Sequence, residues 1–166
     1  CYSMVPWNCE LDYYDEAKDE VVTVVAEPGT QVFVDMWRPF LIAFKRHLAE
    51  RGWLSITNIA MDERAPEAMA AAVSLLAECA PEMGFAIADM HHSYRRYLNM
   101  RDVCVAQEQP ADSTDIHVRR EQGYTTTFYI CCNPQFPNTF SYSHPYEAEL
   151  LGWYGLACDY DGMLRW

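Results

Sequence analysis

Asp62 and Glu63 are neighbouring carboxylates at the end of an apolar run, Ile56-Thr-Asn-Ile-Ala-Met61, with Arg64 and a Pro66-led segment behind them. Side chains at the carboxyl end of a buried strand face the ligand side of a parallel α/β protein while their backbone stays anchored in the sheet. An acid pair held there can divide proton transfer and charge stabilisation between its members. Two close carboxylates resist joint ionisation, so one of them is expected to hold a proton near neutral pH. The competing account is structural: Asp62 caps the following helix and Glu63 is solvated. Arg64 fits an ion pair behind the site better than a ligand contact.

Other side chains with chemistry in them are less organised. Polar or aromatic groups close most of the strand-like runs, at Trp7, Asp89, Gln107, Cys132-Asn133 and Arg165-Trp166. Trp7 and Trp166 sit where an indole can wall a sugar ring, and Arg165 can hold Trp166 or touch a hydroxyl. Trp37 and Trp153 fall in helical stretches and are expected in the core. His91-His92 and His144 have neither chelating spacing nor a Gly-x-Ser-x-Gly elbow beside them, so they read as loop histidines. The acidic stretch from Asp12 to Glu20 lacks the spacing of a calcium loop and reads as a solvated surface. Seven cysteines show no C-x-x-C pair or Cys/His zinc pattern. Cys104 and Cys131 read as small hydrophobes inside apolar runs, and the vicinal Cys131-Cys132 as either a strained disulfide or two free thiols. Neither a metal nor a cofactor is expected.

Composition limits the partners. A formal charge of -12 argues against nucleic acid and anionic membrane surfaces, both of which need a basic footprint. A neutral ligand fits better. Aromatic residues make up 14% of the chain, enough to serve both a core and flat surfaces for sugar rings. There is no apolar stretch long enough to cross a membrane and no signal peptide. The chain opens at Cys1 without an initiator Met, which suggests a piece of a longer protein.

The elements that must position these groups alternate in type. Short strands are expected at Tyr2 to Pro6, Val21 to Val25, Ile56 to Met61, Gly84 to Ala88, Val103 to Ala106, Thr125 to Cys131 and Met163 to Trp166. Asp12 to Glu20 reads as loop. Helices are expected over Trp37 to Arg51, with Phe40, Leu41, Phe44 and Leu48 at helical spacing, and over Pro66 to Cys79, Asp112 to Gln122 and Pro145 to Cys158. Repeated βα units with polar strand ends on one side predict a (β/α)8 TIM-like barrel. About six of its strands are countable, so residues 1–166 read as a partial catalytic domain, roughly strands 3 to 8, truncated at both ends. An open doubly wound sheet is the alternative, though no Gly-rich phosphate loop supports a nucleotide-binding version.

The blocks Gly52-Trp53, Ile59-Ala-Met-Asp-Glu-Arg64, Thr126-Thr-Phe-Tyr-Ile-Cys-Cys132, Pro137-Asn-Thr-Phe140 and Gly162-Met-Leu-Arg-Trp166 resemble the catalytic domain of glycoside hydrolase family 123. The resemblance implies a TIM-like barrel with the acid pair after its fourth strand. It implies an exo-acting β-N-acetylgalactosaminidase on glycans or glycolipids with terminal β-linked N-acetylgalactosamine, placed outside the cytoplasm. It matches Glu63 to the general acid/base and Asp62 to the stabiliser of the substrate acetamido group. Tyr129 and Asn138 fall in family blocks near the site, as an acetamido or acid contact and a hydroxyl contact; a core tyrosine and a turn-forming asparagine compete with those readings. Carboxylates that act as acid and nucleophile stand roughly 5 Å apart across the sugar, which sequence neighbours need not do. A 2-acetamido sugar can instead attack with its own carbonyl oxygen. A non-catalytic carbohydrate-binding or structural remnant of the fold is the alternative function.

Overall fold

A computed structural model of the chain describes residues 3–164, which divide into two compact units, the first ending at Gly84 and the second beginning at Phe85. In the first, β1 (Glu10–Asp15) and β2 (Glu20–Val25) form an antiparallel hairpin. This corrects the loop expected over Asp12 to Glu20. Asp15 accepts from Ala17 N in the turn, and Asp19 takes a left-handed φ of 58°. The β-branched run from Val21 pairs across to Tyr14, Tyr13 and Leu11, so the acidic residues alternate along a strand.

Thr30 caps α1 (Gln31–Glu50) by accepting from Phe33 N, and the helix begins six positions before the expected start at Trp37. Its buried stripe is Phe33, Trp37, Leu41 and Leu48, while Phe40 is half exposed and stacks on Phe44. Gly52 follows with a φ of 71°, a conformation glycine adopts at no steric cost. Residues Leu54–Ile56 make a 3-10 turn, so β3 (Asn58–Met61) is shorter than the expected Ile56 to Met61 and Ile56 is exposed. Next, α2 spans Pro66–Cys79 as expected, with Pro66 at its start and Met69, Ala72, Leu75, Leu76 and Cys79 buried. Arg38 to Glu78 and Lys45 to Glu82 (2.7 Å) are ion pairs from α1 to α2 and the turn after it. Among the described residues, the strand expected at Tyr2 to Pro6 is reduced to one parallel bridge, Ser3 to Ala60.

The second unit carries β4 (Gly84–Asp89, its first residue at the boundary), β5 (Met100–Ala106), α3 (Ser113–Glu121), β6 (Thr125–Tyr129), α4 (Pro145–Ala157) and β7 (Gly162–Leu164). From β4 to β7 each strand pairs in parallel with the next. The strand order of this unit is β4-β5-β6-β7. A doubly wound sheet reverses its strand order at a switch point, and this order has no reversal. The chain is therefore α/β with successive βα units, as in part of a TIM-like fold; a closed barrel is not formed by the described strands. The Val21 to Val25 run belongs to the separate hairpin.

Pleat alternation separates two faces in the second unit. Ile87, Val103, Val105 and Phe128 lie on one, and Phe128 packs edge-on against Tyr154 of α4 at 5.0 Å. On the other are small or polar groups, Ala88, Cys104, Ala106 and Thr127, with Tyr129. Arg119 of α3 is buried and ties the amino ends of β5 and β6 together. It donates to Met100 O at 2.8 Å, Thr125 O at 2.9 Å and Thr126 Oγ1 at 2.9 Å. Arg119→Met keeps the aliphatic bulk and strands these acceptors, so it is expected to cost about 3 kcal/mol. Urea unfolding followed by circular dichroism checks this; an unshifted midpoint would mean that water replaces the guanidinium.

Candidate active site

The acid pair occupies the loop between β3 and α2 in the first unit. Ala65 is the N-cap of α2, and no side chain caps that helix. The account of Asp62 as a helix cap is thereby removed. Asp62 instead accepts the Trp7 indole N–H through Oδ2 at 3.1 Å and the Glu63 backbone N–H through Oδ1 at 2.9 Å. Its side chain keeps 40% exposure, so the carboxylate is fixed yet open to solvent. Glu63 is half-buried beside it.

Arg64 builds the site from behind. Its side chain is 7% exposed; Nε donates to Val5 O at 2.7 Å and Nη1 to Glu63 O at 2.8 Å. The guanidinium lies 3.7 Å from the Trp7 ring centroid and 3.8 Å from Asp62 Oδ2. One cation thus holds the loop backbone, covers one face of the indole and complements the Asp62 charge. The Ser3 to Ala60 bridge and the Met4 N to Ala60 O bond (3.3 Å) lay the amino-terminal segment beside β3, which brings Val5 and Trp7 to the acids. Trp7 is 76% exposed, so the indole stands out at the site as a surface rather than in a core.

Tyr129 and Asn138 belong to the second unit. Tyr129 ends β6 on the small-residue face, buried beside Ala88, Cys104 and Ala106, and its carbonyl accepts Gln107 N at 3.0 Å. The Cys104 thiol in that cluster is pushed up to about 11 by burial first, so it stays protonated and inert, the small hydrophobe expected. Asn138 is 1% exposed and works within its own loop. Its Nδ2 donates to Cys131 O at 2.9 Å and Pro134 O at 2.8 Å, and its Oδ1 accepts Thr139 N at 2.7 Å. Both amide hydrogens are committed within the loop, an arrangement that fits the turn-forming reading.

Glu147, which sequence reasoning passed over, completes this brace. It is buried in the first turn of α4 and accepts Asn138 N at 2.9 Å through Oε2 and His144 N at 2.9 Å through Oε1. The spacing from His144 through Pro145 to Glu147 is a helix-start signal that could have found it. Cys131 and Cys132 are exposed free thiols, not the buried hydrophobe expected of Cys131, because the strand ends at Tyr129. Trp153 is 63% exposed, since α4 turns Glu147 and Leu151 inward instead. Trp37 is buried as expected. Arg165 and Trp166 lie outside the described residues.

An α/β domain that presents a clamped acid pair from the carboxyl end of a strand has the build of a carboxylate-dependent enzyme domain. The chain matches the family described as "Glycoside hydrolase 123, catalytic domain" over residues 1–166, and it belongs to that family. A solved family 123 glycoside hydrolase from Clostridium perfringens, reported in a study of glycolipid glycan hydrolysis, is similar with 30% identity and a TM-score of 0.86. The match covers all of this chain and 30% of the neighbour's length. No curated protein matches the chain.

Proposed function

We propose that the domain belongs to a glycosidase that removes terminal β-linked N-acetylgalactosamine from glycans or glycolipids, with retention and with the substrate's acetamido group as nucleophile. The observation that carries this is Asp62: a carboxylate clamped by Trp7 and the Glu63 N–H, yet open enough to meet a ligand. In this scheme Asp62 accepts the acetamido N–H and steers its carbonyl oxygen onto the anomeric carbon. Glu63 gives its proton to the departing oxygen as the C–O bond breaks. The resulting oxazolinium is opened by water, whose proton returns to Glu63, and the β configuration is restored. The exposed face of Trp7 is available to the sugar ring, and Tyr129 is assigned to the acetamido group. Arg165 and Trp166 keep the assignment their strand-end position suggests, Trp166 as a wall for the sugar ring and Arg165 as its support or a hydroxyl contact. An extracytoplasmic location goes with this substrate.

The test uses the full-length protein. A thiazoline analogue of N-acetylgalactosamine, which mimics the oxazolinium, is expected to inhibit aryl β-N-acetylgalactosaminide hydrolysis competitively and at least ~100-fold more tightly than the free sugar. Proton NMR should show the β-anomer released first. Release of the α-anomer first would remove the mechanism; sugar binding with no turnover would instead favour a non-catalytic module.

A further inference from the structure

The loop after β6 presents a second chemical group. Cys131 and Cys132 are consecutive, both exposed, and their sulfurs stand 3.9 Å apart with the Cys131 S–H directed at the Cys132 sulfur. A disulfide needs about 2.0 Å, so joining them takes side-chain rotation together with adjustment of the peptide between them. Bond formation closes a compact ring through both Sγ, both Cβ, both Cα and the intervening peptide C and N. The carbonyl of that peptide is Cys131 O, which the buried Asn138 amide clamps at 2.9 Å. Ring closure must reorient this peptide and so acts directly on the staple that holds residues 133–138.

We propose that Cys131-Cys132 is a reversible thiol–disulfide modification site, whose oxidation by a small-molecule disulfide releases the Asn138-braced loop. The Cys131 thiolate attacks one sulfur of the reagent, giving a mixed disulfide and one reagent thiol. Cys132 then attacks the Cys131 sulfur, displacing the second reagent thiol. Two protein S–H groups are oxidised to one S–S bond, and the reagent disulfide is reduced to two thiols. Each attack needs a thiolate, so both steps quicken as pH rises toward the thiol range. The other free cysteines offer no such neighbour: Cys79 and Cys104 are buried, and Cys9 and Cys158 have no adjacent cysteine in sequence.

The test needs no catalytic assay, so its failure is separate from failure of the glycosidase reading. The full-length protein is treated with millimolar glutathione disulfide and mapped by mass spectrometry and hydrogen–deuterium exchange. The peptide containing both cysteines should lose the mass of two hydrogens, and exchange across residues 133–139 should accelerate by roughly tenfold, as for loss of one buried hydrogen bond. Dithiothreitol should reverse both changes, and Cys132→Ser should show no ring and no such acceleration. Accumulation of an open glutathione adduct alone on the native pair overturns the site. Ring closure with unchanged exchange overturns its coupling to the Asn138 brace.

Discussion

Glu63→Gln is expected to lower hydrolysis of an alkyl or 4-methylphenyl β-N-acetylgalactosaminide by ~10²–10⁴-fold, the usual contribution of a positioned general acid. Glutamine preserves the length and most of the packing of the half-buried side chain but has no acidic proton to give. A leaving group that departs unaided needs less help, so the deficit should shrink toward tenfold or less on a dinitrophenyl glycoside, where later water attack sets the rate. The dependence on leaving-group acidity is therefore the diagnostic readout. A uniform loss across leaving groups would give Glu63 a binding role, and an unchanged rate on all of them would take it out of the reaction. The Arg64 to Glu63 bond uses the backbone carbonyl of Glu63, so the substitution leaves that anchor in place.

The elements around the acids were legible to different degrees, and the reasons are local. Helix α2 could be bounded because Pro66 opens it, alanines fill it and Pro81 follows. Helix α3 was equally clear from its cap, since Asp112 accepts Thr114 N and Gly123 beyond it has a φ of 77°. The hairpin was obscured by its acidic residues, which read as loop until a partner strand is supplied. Arg119 is a buried donor because of the strand-end carbonyls of Met100 and Thr125, a tertiary feature that no local pattern carries. Within the site, an acid pair at a strand end is a sequence pattern, whereas the Trp7 to Asp62 bond spans 55 positions and depends on the Ser3 to Ala60 bridge. Asn138 shows the converse, a polar loop residue whose two amide hydrogens its own loop takes up through Cys131 O and Pro134 O, contacts that no local pattern announces.

Asp62→Asn should fail differently from the Glu63 variant. Asparagine can still accept from Trp7 or from the Glu63 N–H, but it lacks the negative charge that develops its full value as the acetamido nitrogen becomes positive. Hydrolysis should fall by ~10²–10³-fold, the usual cost of removing one preorganised electrostatic partner. The loss should be nearly the same for alkyl, phenyl and dinitrophenyl leaving groups, because nucleophile formation is impaired while proton donation is not. Affinity for the thiazoline should fall in parallel, whereas affinity for free N-acetylgalactosamine should change little. Loss of sugar and thiazoline binding together would make Asp62 a ground-state contact. Arg64 sharpens the expectation: with the carboxylate gone, a 7%-exposed guanidinium 3.8 Å away loses its anionic neighbour and keeps the carbonyls of Val5 and Glu63. The site then carries net positive charge where the reaction builds positive charge, so the variant should be worse than a neutral deletion of the same contact on an uncharged loop.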